Sequence, residues 1–341
     1  MSSLILLTHC AFRDDNLFLR IIIEDSVSAD GTIIQDNDPR DGLPMMNFEI
    51  DESIRDFSAI RSAMDQSVNF SRPTADGGMV ETRFVRRIPT RFIVYISSMT
   101  GCDKACRFCH LTQTGQTMAR LLTVEEMLAQ AETVLATSTF SPGEIVHFNF
   151  MARGEPLSNP AVGRELFERL RDLASSYRLH PRVKLSTIMP SDLVAPDWAS
   201  FVPPGIPVDI YYSLYSLDRH WRKRWIPKAM APSDAMKHLV SFRSKTAQRV
   251  VLHWALIEGE NDAVTDAEAI CREASSRGLQ FDFNLVRYNA ANGRSSEAPR
   301  ERIDAYLAEM SRHIAAPNRV KEIPRVGFDV AASCGMFLTA A

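Results

Sequence analysis

The chain has no apolar run long enough to cross a membrane. Leu4–Leu7 near its start falls far short of the roughly 20 residues a helical span needs, and neither a positively charged start nor a small-residue cleavage site accompanies it. A cytoplasmic protein is the expectation. Six cysteines in 341 residues are too sparse for a disulfide framework, which excludes the stapled secreted class. No sign of charge dominates: the net charge is −3, so any surface for nucleic acid or lipid has to be local. Low-complexity segments are absent, and no repeat appears beyond an alternation of strand-like and helix-like runs. What is present is 45% hydrophobic content, enough for one large core with appendages.

The alternation carries the fold class. Residues 56–71 read as a helix. Asp76-Gly77-Gly78, followed by Val80–Arg87 and Phe92–Ser97, reads as a β-hairpin. Thr123-Val-Glu-Glu126 is a capping-box start for a helix to about Ala136. Strand-like runs follow at Ile145–Phe150, Val183–Ser186, Val208–Ser213, Val250–Ile257 and Phe281–Val286. Helical patterns near 161–177, 232–244, 263–277 and 299–314 separate most of them. Such an order means α/β architecture with a parallel sheet of βαβ units, whose ligands sit at the carboxyl ends of the strands. The expected division is an N-terminal extension at 1–75, a barrel with its leading hairpin at 76–315, and a C-terminal tail at 316–341.

Within this frame, Cys102, Cys106 and Cys109 stand in a C-x3-C-x2-C run directly after an apolar strand. The spacing brings three thiolates to one place. Iron–sulfur clusters are held by cysteine thiolates, normally four for a [4Fe–4S] unit, so a trio leaves one iron open. The bland alternative is a zinc knuckle, but zinc wants four N/S ligands, and His110 directly abuts Cys109, a poor position for sharing its metal. The spacing, with Phe108 before the last cysteine, resembles that of radical S-adenosylmethionine (SAM) enzymes, which implies a [4Fe–4S] cluster whose open iron chelates SAM.

A second signature, Gly154-Glu155-Pro156-Leu157, follows the Ile145–Phe150 strand. Its glycine permits a close backbone approach, and its carboxylate can accept from an ammonium group. Alone it is an ordinary turn. Ser186, Ser213 and Asn289 stand at further strand ends facing the same mouth. Singly each reads as a satisfied turn residue; together they outline a site.

From Gly77 to Gly335 the chain resembles the RlmN/Cfr family of radical SAM RNA methyltransferases, which methylate an adenine ring carbon. The likeness rests on Val80-Glu81-Thr82, Ser97-Ser98-x-x-Gly101-Cys102, Gly154-Glu155-Pro156-Leu157-x-Asn159, Glu258-Gly259-x-Asn261-Asp262, Gly293-Arg294-Ser295-Ser296 and Ala332-Ser333-Cys334-Gly335. It implies a partial (β/α)6 radical SAM barrel with a small N-terminal extension and hairpin. By motif, Gly154, Glu155, Ser186, Ser213, Leu214, Tyr215 and Asn289 would contact SAM; the family usually has histidine at the position of Tyr215. Cys334 would carry the methyl group as a thioether before its radical transfer, and Glu81 would accept the ring proton. Without the resemblance, Cys334 reads as a small packed hydrophobe and Glu81 as a solvated carboxylate. The resemblance further implies an RNA partner (ribosomal or transfer RNA), an electron donor such as flavodoxin or ferredoxin, and a monomer.

One departure bears on the chemistry. Where the family has a second, resolving cysteine, this chain has Tyr95, and a phenol forms no disulfide. Cys10 is the unassigned thiol outside a helical run, whereas Cys271 falls inside one and reads as core. A second functional reading therefore stays open: a radical SAM enzyme of the same family performing another hydrogen abstraction on a nucleotide or small molecule. A zinc-binding interaction module is the third. The segment Asp218–Lys228, with five Lys/Arg and two tryptophans, reads equally as a phosphate-and-base surface or as an amphipathic helix with its tryptophans in the core. Arg86, Arg87 and Arg91 add charge near the hairpin.

Overall fold

The computed structural model describes residues 56–339, apart from 195 and 292. Ten strands form one continuous sheet in chain order. β1 (Ser58–Arg61), β2 (Val68–Pro73), β3 (Met79–Ile88) and β4 (Arg91–Tyr95) are antiparallel neighbours. From β4 onward the pairing is parallel, through β5 (Ile145–Phe150), β6 (His180–Thr187), β7 (Val208–Tyr212), β8 (Val250–Ala255), β9 (Asp282–Val286) and β10 (Val320–Ile323). No pairing joins β10 back to β4 among the described residues, so the sheet is a partial barrel and stays open.

Helices α1 (Val124–Thr137), α2 (Arg164–Ser176), α3 (Arg219–Trp225), α4 (Pro232–Thr246), α5 (Val264–Ser276) and α6 (Arg300–His313) lie between the parallel strands. Each βαβ connection must bury one stripe of its helix on the sheet. α1 and α2 place Met127, Val134, Leu166 and Leu170 against Phe92, Phe148 and Val183. α4, α5 and α6 place Leu239, Ile270 and Tyr306 in a second cluster with Ile210, Leu252 and Phe283. Cys271 is 2% exposed in that cluster, its Sγ 3.4 Å from Met310 Sδ, as a core residue should be. α1 begins with the expected capping box: Thr123 accepts from the Glu126 amide and Glu126 accepts from the Thr123 amide.

One reading of the chain needs correction, and one strand was not foreseen. Residues 56–71 are no helix; they supply β1, a turn and most of β2. Phe57, Ile60, Met64 and Val68 recur at helical spacing, yet Ile60 and Met64 are 45% and 75% exposed. The turn between the strands wins through local bonds. Ser62 Oγ accepts from the amides of Met64 and Asp65, and the Ser62 amide donates to Ser67 O at 2.8 Å. The short β10, half-buried except for an exposed Lys321, carried no strand signal. The first barrel strand, β4, is also the second strand of the expected hairpin, so β1–β3 extend the barrel sheet sideways.

Candidate active site

The loop leaving β4 carries the three cysteines. Gly101 lets it pass under residues 116–118, because a Cβ there would lie 2.1 Å from Met118 O. The Cys109 amide donates to Cys106 O at 3.0 Å, the Arg107 amide to Trp225 O at 2.8 Å, and the His110 amide to Gly335 O at 3.1 Å. The trio is thus fixed by its own turn, by α3 and by the C-terminal tail. His110 directs its Nε2 to Asn289 O at 3.0 Å, which occupies the ring in a structural bond. Burial pushes Cys102 up to about 12 and Cys109 up to about 11, and Cys106 well above its ordinary value. Three such thiols ionise only against a compensating positive centre.

All three line one cleft together with Phe108, Gly154, Glu155, Ser186 and Ser213. Three thiols from one loop that line one cleft suit an iron–sulfur centre, in which each cysteine binds its own iron.

The strand ends converge as expected, though not every side chain does what its motif suggests. Gly154 has φ +97°, and a Cβ on it would lie 2.7 Å from Met99 Cγ and Ser98 Oγ. Its glycine is required by the neighbouring loop as well as by the cleft. Glu155 is 4% exposed and binds the Leu157 amide at 3.1 Å and the Ile188 amide at 3.0 Å, joining the end of β5 to that of β6. Burial pushes its carboxyl up to about 7 against those hydrogen bonds. A cationic ligand would bring it back into the ionised form. Ser186 Oγ is buried with no hydrogen-bond partner among the described residues, a polar atom aimed into the cleft with nothing to bind there. These groups fit a ligand carrying an ammonium and polar edges, as SAM does.

Leu214 differs: its side chain is fully buried in the core, and only its carbonyl is engaged, by Arg222 Nη1 at 2.6 Å. Tyr215, at φ +61°, stacks on Phe108 with ring centroids 4.4 Å apart. It lines an adjoining cavity with Asn289, Cys334, His253 and Arg287.

Cys334 is delivered to this mouth by the tail. Asn289 Nδ2 donates to Cys334 O at 2.9 Å and to Ser333 Oγ at 3.2 Å, and Cys334 Sγ lies 3.7 Å from Met151 Sδ. Burial raises its thiol, while Arg87, Arg83 and a hydrogen bond from Tyr95 pull the other way. Tyr95, 2% exposed at the end of β4, also accepts from Arg87 Nη2 at 3.4 Å. The residue standing in place of a resolving cysteine therefore lies within electrostatic reach of the thiol it would have resolved. Cys10 lies outside the described residues.

Glu81 is fully buried, and both its oxygens are taken. Oε2 accepts from Arg153 Nε at 2.7 Å, and Oε1 from Asn69 Nδ2, Arg83 Nη2 and the Leu338 amide at 3.0–3.3 Å. Arg83 and Arg153 then hold Met336 O at 2.6 Å and Leu338 O at 2.7 Å. Neither arginine stood out in the sequence; their signal was only charge inside a strand and beside a Gly-Glu-Pro turn.

No family model matches the chain. It is 30% identical over 301 residues to a protein of Opitutus terrae named a probable dual-specificity RNA methyltransferase, RlmN 2, covering 78% of this chain and 68% of that one. A Gloeobacter violaceus protein named a probable dual-specificity RNA methyltransferase, RlmN, is 30% identical over 280 residues, covering 80% and 75%. The chain belongs to the RlmN family. RlmN-family membership makes it a radical SAM methyltransferase, whose cofactors are a [4Fe–4S] cluster and SAM. A solved radical SAM methyltransferase from Sphaerobacter thermophilus shares the fold, with a TM-score of 0.65 at 22% identity over 82% of this chain and 81% of that one. The relatives do not favour the reading of an RlmN-like chain turned to a different hydrogen abstraction. Among the described residues, no helix is long and apolar enough to cross a membrane.

Proposed function

We propose that the chain methylates an adenine ring carbon in ribosomal or transfer RNA, with Cys334 as the methyl carrier. The observation that supports this most is the placement of Cys334. A tail remote in sequence from the cysteine loop is tied to it through His110 N–H and Gly335 O, 3.1 Å apart, and its thiol lines the cavity adjoining the three-thiol cleft. A free cysteine serving only as packing needs no such tie.

When bound, the cluster and SAM supply the methyl group and the hydrogen-abstracting radical; orienting and shielding are the protein's part. Cys102, Cys106 and Cys109 hold the cluster. Glu155 would accept from the ammonium of SAM, with Ser186 and Ser213 lining the same cleft. Phe108, Tyr215 and Met151 wall the mouth and exclude water. Arg83 and Arg87 favour the thiolate of Cys334, the form that accepts a methyl group. Glu81, saturated by two arginines, holds the tail; a proton-accepting role would require it to release one of them. Tyr95 takes the resolving position, and its phenol supplies no thiol for product release.

The test is mass spectrometry of the purified holoenzyme together with nucleoside analysis of RNA from cells with and without the gene. A +14 mass on the Cys334 peptide and loss of a C-methyladenine in the deletion strain are expected. An unmodified Cys334 with the methyladenosine pool unchanged would overturn the reading.

A further inference from the structure

The basic segment at α3 (Arg219–Trp225) has a structure that separates its two readings. Trp221 and Trp225 are 5% and 3% exposed, so neither ring face can stack a base. They continue a column instead. Phe108, Tyr215, Trp221 and Trp225 stack in succession with centroid steps of 4.4, 5.7 and 5.6 Å and interplanar angles of 13–24°. One end of the column is Phe108, directly before Cys109. The other lies just beneath the surface, where Arg107 covers the Trp225 ring at 5.2 Å and its amide binds Trp225 O. A polar pocket opens over that end, bordered by Arg107, Thr112, Gln113 and Arg294, with Glu260, the partner of Arg224, on its rim. Arg219, Lys223 and Arg224 are exposed on the same helix. Arg224 is paired with Glu260, whereas among the described residues Arg219 and Lys223 form no ion pair.

We propose that this face, the exposed side of α3 with Arg107, is where a small acidic electron-carrier protein docks to reduce the centre held by the three thiolates. The occupant follows from two features together. The surface offers cations without an exposed aromatic, which suits an acidic protein rather than an unpaired base. It also lies above the one segment of α3 hydrogen-bonded to the cysteine loop, so docking there brings a carrier's redox group close to the cluster through packed rings. One electron leaves the carrier, which is oxidised by one unit, and the thiolate-held centre gains it; no proton or bond is exchanged. The proposal rests on the cluster reading of the three thiols.

The experiment compares wild type with Arg219→Glu/Lys223→Glu, both as reconstituted holoenzyme. The rate of appearance of the reduced-cluster EPR signal is followed with a photoreduced acidic flavodoxin and, separately, with photoreduced deazaflavin. RNA affinity is measured in parallel. The double variant should be reduced by flavodoxin about tenfold more slowly, with the difference shrinking at high salt, as steered association does. Its reduction by deazaflavin and its RNA affinity should match wild type. Unchanged flavodoxin kinetics overturns the proposal, and weakened RNA binding with unchanged kinetics reassigns the face to RNA. If wild type gives no reduced-cluster signal even with deazaflavin, the cluster reading has failed and the proposal falls with it.

Discussion

Cys334 owes its position to its backbone. Asn289 holds its carbonyl, His110 holds that of Gly335 and Arg83 that of Met336, while the thiol itself lies 3.7 Å from Met151 Sδ. Cys334→Ala should therefore leave the tail, the cluster and SAM affinity as in wild type while abolishing methyl transfer; methylation at wild-type level would remove the carrier role. Cys102→Ala, Cys106→Ala and Cys109→Ala should each lose the brown iron–sulfur absorbance, since no fourth donor replaces them: His110 is engaged with Asn289. Retention of full iron and sulfide in one of them would exclude that cysteine as a ligand. Tyr95→Cys puts a second thiol beside Cys334. It should speed release of a Cys334–RNA adduct, because a thiolate attacks the adduct sulfur and a phenol cannot. The adduct should accumulate in wild type on denaturing gels and fade in the variant; equal amounts in both would mean the release step uses another thiol.

At the level of elements, the parallel strands and their helices were legible because burial on both sides leaves mostly apolar runs, as in Val250–Ala255 with its single histidine, and because caps mark helix starts, as at Thr123. Residues 56–71 misled because four apolar residues mimic a helical stripe that a turn at Ser62–Ser67 breaks. The clamp on the tail was not legible at all. It joins Glu81 and Arg83 of β3 (Met79–Ile88) to Arg153 after β5, and only the fold brings these charges together. Removing one member of a buried ion pair strands its partner and costs about 3–5 kcal/mol. Glu81→Gln should accordingly lower stability by that order in denaturant melts, and expose the tail beyond Ala332 to limited proteolysis while iron content is kept. A variant with wild-type stability and protection, but no product, would instead assign Glu81 to proton transfer.

For the whole molecule, the open barrel places bases on its inner side below the mouth. His147 on β5 is held down to about 2, His253 on β8 to about 3 and Lys184 on β6 to about 7, each first by burial. Lys184 and the arginines at 91, 182 and 249 add repulsion on His147, and Lys184 and Arg87 on His253. Asp209 offsets part of the loss at Lys184, and the Lys184 ammonium lies 5.1 Å over the Tyr211 ring. In every case the unfolded chain binds more protons than the folded one between the folded and the ordinary value, so stability rises with pH across that window. His147 contributes this rise from about pH 2 to 6.5, His253 from about pH 3 to 6.5, and Lys184 from about pH 7 to 10.5. Acid should thus unfold the protein well before its surface carboxylates alone would dictate. Lys184→Met, which fills the same space without a charge, should flatten the alkaline limb, raising stability at pH 7.5 relative to wild type and removing most of the gain on going to pH 9.5. Urea melts at the two pH values decide it. A variant that keeps the wild-type slope would show that Lys184 reaches water through the open side of the barrel and titrates as an ordinary amine.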